Sequence, residues 1–151
     1  AKWGDIDFDN AIWNCPEDNM KSRKFFRIPL SGPAMKIISN QKKYSRGEFI
    51  FGHGQTGKMS SNNCMLYTIY RMGHKGTVTT HGMRSTMRDW AGETTKYSER
   101  IVEVCLDHTV NTAVEAAYQR GDYLIKRREI MDGWGRFCYP SENKVIHIRK
   151  R

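Results

Sequence analysis

Residues 3–30 read WGDIDFDNAIWNCPEDNMKSRKFFRIPL, and their pattern decides between an all-helical chain and one that opens on a sheet. Trp3, Ile6 and Phe8 alternate imperfectly with polar residues, and Asp9 and Asn10 mark a turn. AIWNCP and FFRIPL then supply two more short apolar runs. We read three short strands of one antiparallel sheet. The loop EDNMKSRK, between the last two, puts Lys21 at or near a hairpin tip, where a long flexible amine reaches outward. A solvated lysine is the ordinary reading of such a position.

Downstream the apolar spacing becomes helical. Ser31, with Pro33 in the first turn, starts a helix that continues through Ala34, Ile37, Ile38 and Lys42. EFIF is a short apolar run, and the GHGQTGKMSS that follows is a glycine-rich surface loop. It fails the phosphate-cradling pattern because Met59 stands where a Ser or Thr is required. A helix from Ser60 or Ser61 carries Met65, Leu66, Ile69, Tyr70 and Met72 on its apolar side and ends at Gly73. The next, capped by Thr80, has Met83, Met87 and Trp90 as its stripe and His81, Arg84 and Arg88 on an adjacent face. Ser98 starts a helix with Ile101, Val104, Cys105 and His108, and residues 110–120 form another with Val114, Ala117 and Tyr118. After Gly121 a final helix runs to about Phe137, with Leu124, Met131, Trp134 and Cys138 in line. The closing SENKVIHIRKR reads as a basic tail.

The chain has 151 residues, enough for one ordinary domain with a core of its own. Lys and Arg total 25 against 16 Asp and Glu, a net charge of +9. That balance points to an anionic partner, with nucleic acid foremost, because a field of this sign attracts phosphate whatever the fold. Cys15, Cys64, Cys105 and Cys138 are scattered without a CxxC pair, as in a cytoplasmic protein with reduced thiols. A zinc site is not expected from them and the histidines. No apolar run approaches a membrane span, and none reads as a signal peptide. Because the chain opens on Ala1 and runs at once into a strand-like segment, we expect a piece of a longer protein.

One helix start is chemically odd. TTHGMRST places His81 and Arg84 near the positive end of a helix dipole, where each cation costs about 0.3–1 kcal/mol. A guanidinium fork beside helix N–H groups suits a phosphate, and a histidine three residues earlier on the same face reaches the same group. A capping histidine beside a surface arginine would fit the pair equally well. His108 at a helix end and Tyr118 ten residues later in the next helix add a second polar cluster that two angled helices could bring to one cleft.

Together these boxes resemble the tyrosine recombinases, in particular phage integrases and the integrases of related mobile elements. The likeness runs from Trp3 to about Trp134. DIDFDNAIWNCPEDNMKSRKFFRIPLS is similar to the family's three-stranded sheet with its catalytic lysine at Lys21, and THGMRST to the H-x-x-R box at His81 and Arg84. LDH matches at His108, and AAYQRGDYLIKRREIM at the nucleophile, Tyr118. Each box is short; their order and separations make the resemblance specific.

The resemblance implies an α+β, mainly α, DNA breaking-rejoining catalytic domain over residues 1–140, followed by a tail at 141–151. It implies site-specific DNA recombination, integrating or excising a phage or mobile element through a covalent 3′-phosphotyrosyl intermediate, with no cofactor and no metal. Double-stranded DNA and further recombinase protomers in a synaptic complex are the implied partners, in the bacterial cytoplasm at the nucleoid. Tyr118 would be the nucleophile, Arg84 and His108 phosphate donors, His81 a base or donor, and Lys21 the general acid.

The family's pattern also includes an arginine upstream of the first strand, and no arginine precedes Arg23 here. A fragment without it is expected to be impaired. The rival reading is a non-catalytic or degenerate integrase-derived DNA-binding module. A positioned phenol argues against it, because binding alone needs only basic charge. A metal-dependent nuclease would need clustered carboxylates, whereas Asp5, Asp7 and Asp9 alternate along a strand and suit a solvent face.

Overall fold

The computed structural model describes residues 1–20, 22–108 and 121–140. Lys21, residues 109–120 with Tyr118, and the tail at 141–151 lie outside the described residues, so the expectations placed on them stay as sequence readings.

Three strands, β1 (Ile6–Asp7), β2 (Ile12–Cys15) and β3 (Phe26–Pro29), form one antiparallel sheet in the order β1-β2-β3. Trp13 stands opposite both Ile6 and Ile28, which fixes the register. The expected first strand is shortened because Trp3–Asp5 winds into a 3₁₀ turn. The β1-β2 turn is built by Asp7, whose carboxylate accepts from the backbone and side-chain N–H groups of Asn10 at 2.9 and 2.8 Å. Those hydrogen bonds hold the Asp7 carboxyl below its ordinary range.

Helix α1 (Gly32–Gln41) packs its Ile38 on the sheet, closing a core of Ile6, Leu30, Ile38 and Ile50. Ile50 comes from the EFIF run, which docks on the start of the chain through Trp3 N–H to Glu48 O and Ile50 N–H to Ala1 O. Full burial of such an isoleucine is worth about 1.5–3 kcal/mol. The glycine-rich loop after it is a tight fold-back. Gly57 has φ +64°, and a Cβ there would lie 1.9 Å from Arg46 O, so only glycine fits.

Helix α2 (Cys64–Arg71) begins later than its serines suggested and stops two residues before Gly73, whose φ is +85°. Its apolar stripe is largely unburied: Ile69 is inside, while Met65 and Met72 are exposed. An amphipathic pattern supplies a face without supplying something to cover it. The second core joins α3 (Gly82–Thr94), α4 (Glu99–Cys105) and α5 (Leu124–Cys138) through Met87, Ala91, Ile101, Val102, Leu106 and Ile130. Around it Trp90, Trp134 and Phe137 meet with centroids 5.3–5.8 Å apart.

Two expected stripes are corrected here. On α3, Met83 is exposed and Ala91 takes its place inside, and on α5 Cys138 is exposed while Ile130 and Arg127 are buried. Arg127 is fully enclosed. Its Nη2 donates to Arg27 O at 2.6 Å, its Nη1 to Asp122 O at 3.3 Å, and its guanidinium lies 4.2 Å from the Phe26 ring centroid. Asp122 pairs with Arg27 at 2.9 Å and accepts the Leu124 N–H through its other oxygen, so it opens α5 and ties it to β3.

Candidate functional site

The N-cap position of α3 is His81, one residue later than the expected Thr80. Thr79, not Thr80, supplies the hydroxyl, its Oγ1 accepting the Gly82 N–H at 2.9 Å, and His81 occupies the residue before the helix. Arg84 stays in the first turn, exposed, where its charge is unfavourable to its own helix. The compensation comes from the neighbour: Arg84 Nη2 donates to the carbonyl of Leu106, the C-cap of α4. The positive end of α3 thus meets the negative end of α4, and the guanidinium bridges them.

The end of α4 explains how His108 arrives at the same place. Asp107 adopts φ +52°, its N–H donates to Val104 O, and the His108 N–H reaches back to Glu103 O at 3.0 Å. This is a Schellman closure with aspartate in the left-handed position usually filled by glycine. It reverses the chain so that the His108 ring returns over its own helix. There His108 Nδ1 lies 2.5 Å from Glu103 Oε2, while Glu103 Oε1 accepts from Arg88 Nε at 2.5 Å. Arg88 also reaches Glu99 at 3.0 Å.

Glu103 is mostly covered, with 14% of its side chain exposed, against 54% for Arg88 and 45% for His108. Burial alone would raise its carboxyl. The hydrogen bonds and charges of His108 and Arg88 outweigh that and hold it below the ordinary carboxylate range.

His81, Arg84, Ser85, Arg88, Glu103, Leu106 and His108 line one cleft of about 350 Å³. Three of the five residues singled out from sequence, His81, Arg84 and His108, are therefore brought together, although His108 lies just past the helix that was expected to carry it. Lys21 and Tyr118 lie outside the described residues. Among the described residues no tyrosine lines the cleft. Glu103 was not read from sequence. Five residues before a histidine is no helical spacing, and the contact exists only because the chain reverses at Asp107.

Among the described residues no three His, Cys, Asp or Glu side chains cluster as metal ligands, and no helix is long and apolar enough to cross a membrane. All four cysteines are free.

No family model matches the chain, and no solved structure matches it. Curated relatives do. The prophage integrase IntA of Escherichia coli K12 is 32% identical over 155 residues, covering 99% of this chain and 37% of its own length. The integrase of Enterobacteria phage P4 is 31% identical over 166 residues, covering 98% of this chain and 38% of its own. The integrase of Shigella phage Sf6 is 29% identical over 136 residues, covering 88% of this chain. The chain spans a little over a third of the length of the first two relatives. Over that span, it belongs to the phage integrase family.

Proposed function

We propose that this chain is the catalytic portion of a tyrosine recombinase, acting in site-specific recombination of phage or mobile-element DNA, and that its fold is the DNA breaking-rejoining domain. The observation that carries this reading is the convergence of His81, Arg84 and His108 on one cleft, at the junction of two helix ends and under a net charge of +9. Double-stranded DNA is the substrate, further protomers complete the synapse, and the bacterial nucleoid is the place of action. The integrase names of the relatives support the same reading.

In this scheme the phenol oxygen of Tyr118 attacks a DNA phosphorus, forming a P–O bond as the bond to the 5′ oxygen breaks. The phosphate is passed to the tyrosine, so the reaction conserves the ester and consumes no nucleotide. An ordinary tyrosine has a pKa near 10, so the phenol must lose its proton as it attacks; in this scheme His81 is the base that takes it. Arg84 keeps donors beyond the one given to Leu106 and holds the non-bridging oxygens as charge develops. His108 donates to the same phosphate. Lys21 gives a proton to the leaving 5′ oxygen, a task for an amine and not for a guanidinium. Attack by a partner strand's 5′ hydroxyl reverses each transfer and frees the tyrosine.

The test is an incubation with double-stranded DNA spanning the junctions of the parent element, followed by denaturing electrophoresis. A protein–DNA adduct is expected, weak from the chain by itself because no arginine precedes Arg23, and lost in Tyr118→Phe with DNA affinity retained. An adduct that persists in that variant and maps to Tyr97 or Tyr123 would overturn the assignment of the nucleophile. DNA binding with no adduct, in the chain and in its full-length parent alike, would favour the non-catalytic module.

A further inference from the structure

We propose that Glu103 is a positioning residue that clamps His108 in one tautomer and orientation, with its Nε2 left for the phosphate. This deepens the recombinase reading and rests on it for the identity of the ligand, though the clamp itself is a property of the free chain. The argument begins with donors and acceptors. An ionised carboxylate only accepts hydrogen bonds, and against the pull of burial Glu103 is held ionised by the hydrogen bonds it takes from His108 and Arg88. The 2.5 Å contact from His108 Nδ1 to Glu103 Oε2 therefore assigns the proton to Nδ1. Nε2 is then the nitrogen left for the cleft, an acceptor in the neutral ring that becomes a donor to phosphate once the ring takes up a second proton.

The grip is double. Glu103 takes the His108 N–H on its backbone carbonyl at 3.0 Å and the ring on its side chain at 2.5 Å, so main chain and imidazole are both tied to one residue. Arg88 holds the other carboxylate oxygen at 2.5 Å, which stops the carboxylate from turning away. Arg88, with Glu99 as its second partner, is thereby kept as a brace, and Arg84 is the arginine left to meet the phosphate. The arrangement follows the general logic of a carboxylate that orients an imidazole in a catalytic site.

The experiment uses the chain with ¹⁵N-labelled histidine, and reads the His108 ring nitrogens by long-range ¹H–¹⁵N correlation above the pH at which the ring is neutral. The wild-type ring is expected in the Nδ1–H form. In Glu103→Gln the two tautomers should mix, because an amide can donate or accept. A wild-type His108 carrying its proton on Nε2, or a ring unchanged in Glu103→Gln, overturns the proposal whether or not the chain cuts DNA.

Adduct formation on junction DNA supplies the second readout. Glu103→Gln should slow it ~10–100-fold, the scale seen when the partner that orients a metal-bound imidazole is removed, with DNA affinity changed less than about twofold. An equal loss of affinity and rate would mark Glu103 as a binding or folding residue and would also overturn the proposal. Absence of an adduct in the wild-type chain and in its full-length parent alike would count against the recombinase reading alone, leaving the tautomer measurement to decide on Glu103. Should Glu103→Gln fail to fold, Arg88→Met, which frees the far carboxylate oxygen, is expected to mix the tautomers as well; a ring left wholly in the Nδ1–H form there would overturn the brace.

Discussion

Two networks in this molecule are built from nearly the same parts and end in opposite uses. In the cleft, Glu103 sits between Arg88 and His108, and at the sheet edge Asp122 sits beside Arg27 and Arg127. The difference lies in what encloses the cations. Arg127 has no exposed surface, and it spends its donors on the carbonyls of Arg27 and Asp122 and its face on Phe26. Burial pushes its ionisation down, as expected for a charge removed from water. Arg84 and His108, by contrast, are each tied at one end and open to solvent at the other. A charge cluster sealed from water, even with the Arg127 Nε left unpartnered, holds a fold together; one with donors facing solvent can hold a ligand. The two networks also touch the same helix, since Arg127 contacts Cys105 on the face of α4 opposite the cleft.

The largest effect is expected from opening the sealed network. Arg127→Ala would leave a cavity and strip the partners from two carbonyls, a loss on the order of 3–5 kcal/mol, read by urea denaturation of the chain. Arg127→Met keeps the volume and should lose less. A loss below about 1 kcal/mol in the alanine variant would show that enclosure is no guide to structural weight here. Next comes the open network. Arg84→Ala is expected to lower adduct formation ~10²–10³-fold while lowering stability by only ~1–2 kcal/mol, for the bond to Leu106 O. A collapse of stability with cleavage intact would reverse the distinction drawn between the two networks.

Sequence carried part of this and missed part, for identifiable reasons. The sheet was legible because three short apolar runs, around Ile6, Ile12 and Ile28, follow one another with turn residues between them, and His81 and Arg84 because both fall within one turn. The end of α4 was legible as a helix boundary, yet the contact of His108 with Glu103 depends on the left-handed Asp107, which no spacing rule announces. Arg127 reads as one more surface cation in KRRE. Only the fold brings the carbonyls of Arg27 and Asp122 around it, one of them from a strand a hundred residues away. The unburied stripe of α2 is the converse, an apolar face that the described residues leave largely uncovered.

A smaller effect tests whether the seat of α5, and not its charges, keeps the sealed network closed. Ser31 is buried and makes no capping bond, since Gly135 of α5 packs directly on it: a Cβ at Gly135 would lie 2.4 Å from Ser31 Oγ and 2.7 Å from its Cβ. Gly135→Ala should therefore cost ~1–3 kcal/mol as an overpacked contact. Adding Ser31→Gly should recover most of it, because glycine at an N-cap loses only a few tenths of a kcal/mol. Failure of the second change to rescue the first would place the cost elsewhere in α5.

The smallest expected effect is on acid stability, and it weighs the two networks directly. Glu103 and Asp122 both ionise below their ordinary values of 4.5 and 3.8, because burial, which would raise each, is outweighed by their cationic hydrogen-bond partners. A lowered folded-state value means the unfolded chain binds protons first. The stabilisation is complete above the ordinary value and is lost as pH falls through the folded one. Unfolding free energy should thus drop between about pH 5 and the acid limit, and Glu103→Gln and Asp122→Asn should each make that slope shallower. The Glu103 carboxylate is the less exposed of the two, at 14% against 36%, and it faces two cationic side chains at close range, so its variant should flatten the slope more. Equal slopes in wild type and both variants would mean that the ion pairs orient side chains without contributing to folding, in the sealed network as in the open one.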